Sequence, residues 1–374
     1  ERLDQQIKLI RADAVATNSP ARICESASRV ASSFSVAAAA RAAPCAGAPG
    51  ASSASATHES TAIESGPAES LRRTITPGLI RSSRQSAKGR NDVRFLFVMD
   101  PALGMLPDKD TSFAFMRAAQ ARGHHCLHAE PSQLMNYGAD VRALARPIRV
   151  SEQAPHVELG SPDVVDLVDL DAVFIRKDPP FDPAYAHLTQ QLDLIKDRTL
   201  VVNDPRGLRD ANEKLFAFHF SEYMPRSLVT SDPHRILEFV RSVGDHAVLK
   251  PLDGAGGAGV VTLSTGDRNA RALADLLTRE GRDLALVQEF LPDVVSGDKR
   301  VLVLDGEPLG AILRVPRADD FRANIHVGGD ARPTELTPIE DRLVRDVGVR
   351  LRAHGLWFVG LDLIGEKLIE VNVT

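Results

Sequence analysis

The sequence predicts an α/β protein, and three observations carry that prediction. From Val93 to about residue 225, short apolar runs that end in charge or proline alternate with helical stretches. Beyond 225 the apolar runs come in closely spaced pairs, as antiparallel strands do. Ahead of both lies a segment almost without large apolar side chains.

That leading segment comes first in the chain. Residues 1–90 hold 20 Ala and 15 Ser but a single aromatic residue, Phe34. Such a composition cannot bury enough apolar surface to offset the entropy of ordering, so residues 1–92 are expected to be a disordered, low-complexity segment. Counted to Asp92 it carries +4, against −9 for the rest. Its Arg, Ser and Ala suit a transit peptide, but eight acidic residues count against one. It could serve as a functional tail. The chain opens at Glu1, however, and its first methionine is Met99, inside a strand pattern. Val93 is therefore read as a candidate start, with 1–92 expected to be non-native and dispensable.

The 374 residues are 43% hydrophobic and 25% charged, with a net charge of −5. These ordinary values exclude a strongly basic nucleic-acid binder, and no apolar run of roughly 18 residues is present to span a bilayer. Three scattered cysteines, Cys24, Cys45 and Cys126, make neither a disulfide framework nor a zinc site, so a reducing cytoplasm is expected.

Phe95–Met99 reads as a strand, followed by a helix over about 112–122 that stops at Gly123. Cys126, just beyond it, reads as a small buried hydrophobe. The runs 173–175 and 200–202 suit buried parallel strands, with a helix over about 210–221 after the second. This gives an α/β domain over 93–205. The runs 247–250, 259–263, 284–289 and 301–304 then predict one antiparallel sheet with helices on one face, within a second domain over 206–374.

Residues 254–259, Gly-Ala-Gly-Gly-Ala-Gly, match the G-x-G-x-x-G pattern, but the loop runs into the β-branched stretch Val260-Val261-Thr262 and not into a helix. A dinucleotide site is therefore disfavoured, and the absence of H-R-D and D-F-G motifs excludes a kinase. What remains is a strand, a glycine-rich lid over about 250–263 and a second strand, which can fold over phosphates with its backbone N–H groups. The bland alternative is a mobile surface turn. Lys250 at the end of the first strand and Lys214 on the helix after Pro205 come from different elements and suit a triphosphate, although either alone is an ordinary surface lysine.

The C-terminal stretch carries the metal argument. Asp362 interrupts an apolar strand, Gly365-Glu366-Lys367 can turn the chain, and Glu370 and Asn372 share a face of the returning strand. A three-residue turn sets Asp362 opposite Glu370, whereas a two-residue turn sets it opposite Ile369 and breaks the cluster. Three oxygen donors on an apolar sheet suit Mg²⁺, and an aspartate inside V-G-L-D-L-I is costly unless paired or metal-bound. The alternative is an edge hairpin with one solvated face.

Taken in order, these motifs line up with a family. The chain resembles prokaryotic glutathione synthetases, which are ATP-grasp ligases, from about Val93 to Thr374. The matching stretches are Met99-Asp100-Pro101, Asp110-Thr111-Ser112-Phe113, Arg176-Lys177-Asp178-Pro179-Pro180-Phe181, Asp210-Ala211-Asn212-Glu213-Lys214-Leu215, Lys250-Pro251-Leu252-Asp253-Gly254, Asp298-Lys299-Arg300, Gly360-Leu361-Asp362 and Glu370-Val371-Asn372-Val373-Thr374. The resemblance implies a Rossmann-like (pre-ATP-grasp) N-terminal domain followed by an ATP-grasp fold. It also implies that ATP phosphorylates the cysteinyl carboxylate of γ-glutamylcysteine, that glycine then attacks the acyl phosphate, and that Mg²⁺, or Mn²⁺ in its place, assists.

Carried over residue by residue, it sets Lys214, Lys250, Gly256 and Gly257 on the ATP phosphates. Glu289 and Leu291 fall on adenine, Asp298 on ribose and Arg314 beside the nucleotide. Asp362, Glu370 and Asn372 would hold the metal, and Arg300, Arg322 and Asn324 would steady the transferring groups. Asp110, Ser112 and Arg176 would face the peptide. The resemblance further suggests a homo-oligomer. It departs in two places: the family pattern continues past Asn372-Val373-Thr374, so the chain is expected to be truncated, and His326 stands where the family has a small residue. Two other readings compete, another ATP-grasp carboxylate–amine ligase and an ATP-binding fragment without turnover.

Overall fold

The computed structural model describes residues 93–107, 109–316 and 330–374. The segment 1–92 and the positions of Arg322, Asn324 and His326 lie outside the described residues.

Four strands, β1 (Arg94–Met99), β2 (His125–Ala129), β7 (Ala172–Arg176) and β8 (Leu200–Val202), run parallel in the order β2-β1-β7-β8. They are apolar along both faces because both faces are covered; Phe95, Leu96, Phe97 and Val98 in β1 are all fully buried. Beside β2, β4 (Asp140–Val150) turns antiparallel and pairs with β3 (Leu134–Tyr137), β5 (Val157–Leu159) and β6 (Asp163–Asp166). Helix α1 (Thr111–Ala121) starts where the Asp110 carboxylate accepts hydrogen bonds from the N–H groups of Ser112 and Phe113, and it ends before Gly123 at φ +78°. Cys126 is buried on β2, and burial pushes its thiol up to about 12, against a hydrogen bond with Gln120. Helix α2 (Pro183–Asp193) follows β7.

Two departures from the sequence reading begin here. The helix expected over 210–221 is absent. Helix α3 (Pro205–Asp210) ends early, because Asn212 Oδ1 accepts from the N–H groups of Lys214 (3.1 Å) and Leu215 (3.0 Å) and turns the chain before a short 3-10 helix at Phe216–Phe220. Lys214 therefore sits in a tight turn, not on a helix. The single antiparallel sheet is also two sheets. The first has the order β11-β10-β12-β9, from β9 (Ser227–Thr230), β10 (His246–Pro251), β11 (Val261–Ser264) and β12 (Ala285–Glu289). Helices α4 (Pro233–Ser242) and α5 (Ala270–Leu277) share a core with it.

The run 301–304 belongs to the second sheet. There β13 (Asp298–Leu304) has both edges taken, by β14 (Glu307–Val315) and by β16 (Phe358–Ile364), in the order β15-β14-β13-β16-β17 with β15 (Asp330–Thr334) and β17 (Lys367–Asn372) outermost. Helix α6 (Pro338–Ala353) packs Leu343, Val344, Val347 and Leu351 against Val301, Val303, Leu361 and Val371 on one face of this sheet. The same core runs on into Leu96, Val98 and Val173 of the first sheet, so one apolar interior joins the two halves. Among the described residues no helix is long and apolar enough to cross a membrane.

Candidate active site

The other face of the second sheet is charged. Strand alternation and register put Asp298 and Arg300 of β13, Arg314 of β14, Asp362 of β16, and Glu370 and Asn372 of β17 on it. Asp298 lies opposite Arg314, and Arg300 opposite Asp362, which in turn faces Glu370. The turn that produces this last pairing corrects the sequence argument. It is a two-residue turn, Gly365-Glu366, but Ile369 is an extra residue on β17, and this bulge restores the Asp362–Glu370 pairing that a plain two-residue turn would lose.

Asp362 is 4% exposed and its charge is fully engaged. Arg300 donates to both of its oxygens, Nε to Oδ1 and Nη2 to Oδ2 (2.9 Å); Arg314 Nη2 lies 3.1 Å from Oδ2, and Asn372 Nδ2 donates to the same oxygen at 3.3 Å. Burial works against this carboxylate, but the two guanidiniums outweigh it and hold its pKa well below the usual range. Arg314 also grips Asp298 through two 2.6 Å bonds. Gly360 leaves room for Arg300; a Cβ there would come within 2.9 Å of Arg300 Cδ.

Facing this surface across a cleft is the sheet that carries the glycine loop. As expected, the loop joins two antiparallel strands, β10 and β11, and Gly256, Gly257 and Gly259 all have positive φ. Lys250, at the end of β10, is 8% exposed, and its ammonium donates to Gln288 Oε1 at 2.8 Å. Burial lowers its pKa. Lys214 is 2% exposed; its Nζ donates to the loop carbonyl of Gly254 at 2.6 Å and lies 3.8 Å from Glu370 Oε1. The cleft, about 880 Å³ counted out to its mouth, is lined by both lysines, Gly256, Gly257, Glu289, Leu291, Asp298, Asp362 and Glu370. Val248, Val260, Ile364 and Ile369 give it apolar walls.

Arg300, Arg314 and Asn372 join this group through Asp362. Asp110, Ser112 and Arg176 do meet one another, but away from the cleft: Arg176 Nε donates to Ser112 Oγ (3.2 Å), Nη2 donates to Thr111 Oγ1 (2.8 Å), and the guanidinium lies over the Phe358 ring.

Three residues that the motif reading passed over also matter. Gln288, 2% exposed, accepts from Lys250 and donates to Ser227 Oγ at 3.0 Å. Its signal in the sequence was a lone amide within Ala-Leu-Val-Gln, the same anomaly that had marked Asp362. Glu213 is pushed up to about 7, first by burial and then by Glu370. Asn203 lies at the junction of the two halves.

The residues present fit a divalent cation. Two carboxylates and an amide share one face, oxygen donors of the kind such a cation takes. Among the described residues, no three His, Cys, Asp or Glu side chains gather into a metal site by themselves. A cation here would therefore complete its shell with oxygens of a ligand, as Mg²⁺ does with phosphates.

The models of the prokaryotic glutathione synthetase N-terminal domain and ATP-grasp domain match residues 93–209 and 213–374. The glutathione synthetase of Agrobacterium fabrum is 42% identical over 277 residues, covering 74% of this chain and 86% of that protein. That of Thermosynechococcus vestitus is 42% identical over 289 residues, covering 74% and 91%. Among solved structures, D-cycloserine synthetase DcsG (14% identical, TM-score 0.52, 75% and 91% covered) has the same fold. So does a RiPP-associated ATP-grasp ligase of Chryseobacterium gregarium (16%, TM-score 0.51, 75% and 89%).

Proposed function

The chain belongs to the prokaryotic glutathione synthetase family, an ATP-grasp family of ADP-forming ligases, and from that premise we propose how its own residues carry out glutathione synthesis from γ-glutamylcysteine and glycine. The observation that carries the proposal is the pair of buried ammonium groups, Lys214 and Lys250, set in one cleft between a glycine loop and a carboxylate face.

Lys214 and Lys250 hold the triphosphate, with Gly256 and Gly257, both at positive φ, offering backbone N–H groups. Backbone groups of Glu289 and Leu291 meet adenine, the apolar walls cover its faces, and Asp298 takes the ribose. Asp362, Glu370 and Asn372 would hold a divalent cation, Mg²⁺ or Mn²⁺. When bound, that cation neutralises phosphate charge at the reacting end. Arg300 and Arg314 donate to the γ-phosphoryl oxygens and to the carboxylate being phosphorylated. Asp110, Ser112 and Arg176 form the wall toward γ-glutamylcysteine. ATP phosphorylates the cysteinyl carboxylate, the glycine amine displaces phosphate from the acyl phosphate, and glutathione, ADP and phosphate leave. No enzyme nucleophile is needed; charge neutralisation, alignment and exclusion of water do the work.

The test is ATP-dependent phosphate release with millimolar Mg²⁺. The expected result is release that requires both γ-glutamylcysteine and glycine. Release with another acid–amine pair alone would assign the cleft to a different ligation.

A further inference from the structure

We propose that Asn203 is a positioning residue that holds the carboxylate hairpin in register, acting from the last strand of the first sheet on the charged face of another. The proposal rests on the ATP- and cation-binding reading of that face.

Asn203 follows β8 directly and is 4% exposed. Its side-chain amide uses its full hydrogen-bonding capacity on backbone. Nδ2 donates to the carbonyls of Phe358 (2.8 Å) and Val373 (2.7 Å), and Oδ1 accepts from the N–H groups of Trp357 (2.7 Å) and Phe358 (2.9 Å). Phe358 begins β16, and Val373 follows the end of β17. A single side chain therefore clips together the open end of the β16–β17 hairpin, opposite its turn.

The hairpin needs such a clip. Its register changes midway: Ile364 pairs with Lys367 and Leu363 with Leu368, but beyond the bulge Asp362 pairs with Glu370 and Gly360 with Asn372. The turn alone specifies the unbulged register. There Asp362 would face Ile369, and Glu370 and Asn372 would pass to the apolar side, because a one-residue slip reverses every side chain. The bulged register is therefore held away from the turn: the N–H groups of Leu368 and Val371 donate to the carbonyls of Tyr223 and Glu213 (both 2.9 Å) on β17, and at the open end Asn203 fixes β16 and β17 to each other.

Asn203→Ala in the full chain is expected to weaken binding of Mn²⁺ together with the non-hydrolysable analogue AMPPNP by about tenfold, the scale set by residues that orient metal ligands. Binding is read by Mn²⁺ electron paramagnetic resonance and calorimetry without substrate. The cation concentration giving half-maximal phosphate release should rise in parallel, while KM for γ-glutamylcysteine stays within about twofold of the wild type. A folded Asn203→Ala enzyme with wild-type Mn²⁺·AMPPNP affinity overturns the proposal. Failure of the wild type itself to bind Mn²⁺·AMPPNP overturns the functional reading instead. Should the alanine variant not fold, Asn203→Ser, which keeps a hydroxyl able to accept from β16, is held to the same comparison. Amide exchange in the wild type needs no variant. The Trp357 and Phe358 amides should exchange as slowly as that of Leu361 at the strand centre, and early exchange there refutes the clip.

Discussion

Gly360→Ala is the sharpest test of the charged face, because the glycine makes no polar contact of its own through a side chain. An added Cβ would sit 2.9 Å from Cδ and 3.1 Å from Nη1 of Arg300. Carbon atoms rest at about 3.5–4.0 Å, so the arginine must move by roughly half an ångström or more. It is not free to do so cheaply, since its guanidinium is bonded to both oxygens of Asp362. Overpacking costs about 1–3 kcal/mol, and weakening charge-assisted bonds worth about 1.5–3 kcal/mol each adds to it. Two facts limit the total: Arg300 is 26% exposed, and Arg314 keeps its own contact with Asp362. The expected destabilisation is about 2–4 kcal/mol, read as a shift in the urea midpoint at constant slope. A displaced donor at the reacting end should also lower the rate of phosphate release by roughly 10²-fold. Unfolding within about 0.5 kcal/mol of wild type, with unchanged turnover, would refute the claim that only a glycine at 360 leaves room for Arg300.

Other perturbations separate the remaining assignments. Lys250→Met keeps the stem and removes an ammonium that burial already disfavours, so the fold should survive while phosphate release falls by roughly 10²–10³-fold; near-normal turnover would remove Lys250 from the phosphate site. Gln288→Leu takes away the acceptor of Lys250 and the donor to Ser227, and KM for ATP should rise about tenfold with a smaller effect on KM for glycine; an equal rise in both would make the effect merely structural. Glu213 titrates at about 7 in the fold against 4.5 when unperturbed, so the folded chain binds the extra proton between these values and stability falls as pH rises through that window. Glu213→Gln removes this penalty. In metal-free buffer its stability relative to wild type should improve by about 2 kcal/mol from pH 5 to pH 8, and a constant difference across that range would argue against a buried, crowded carboxylate.

What could be read from the chain, and what could not, follows from the range of the interactions. The parallel strands of the first sheet were legible because strands covered on both faces are written as unbroken apolar runs, as in Phe95-Leu96-Phe97-Val98. The glycine hairpin was legible because its chemistry is local: strand, positive-φ glycines, strand. Lys214 was found but given the wrong setting, because the helical pattern of 210–221 is weaker than one local competitor, the Asn212 carboxamide that caps the backbone two and three residues on. The division of the antiparallel strands into two sheets was not legible, since Val301 has the same pattern whichever neighbour it finds.

The hairpin shows the limit most clearly. Asp362, Glu370 and Asn372 were recognisable as a set and the pairing of Asp362 with Glu370 was foreseen, yet neither turn length weighed from the sequence included the bulge that produces it. Turn and bulge compensate for each other, and each is silent in a period-two pattern. What helps select between registers lies far away in sequence, in the Tyr223 and Glu213 carbonyls and in Asn203, a side chain with no motif of its own. A face assembled from several strands thus declares its charged residues in sequence, because a buried charge is costly anywhere. It conceals the residues that aim them, because a satisfied buried amide looks like any other asparagine until its partners are in view.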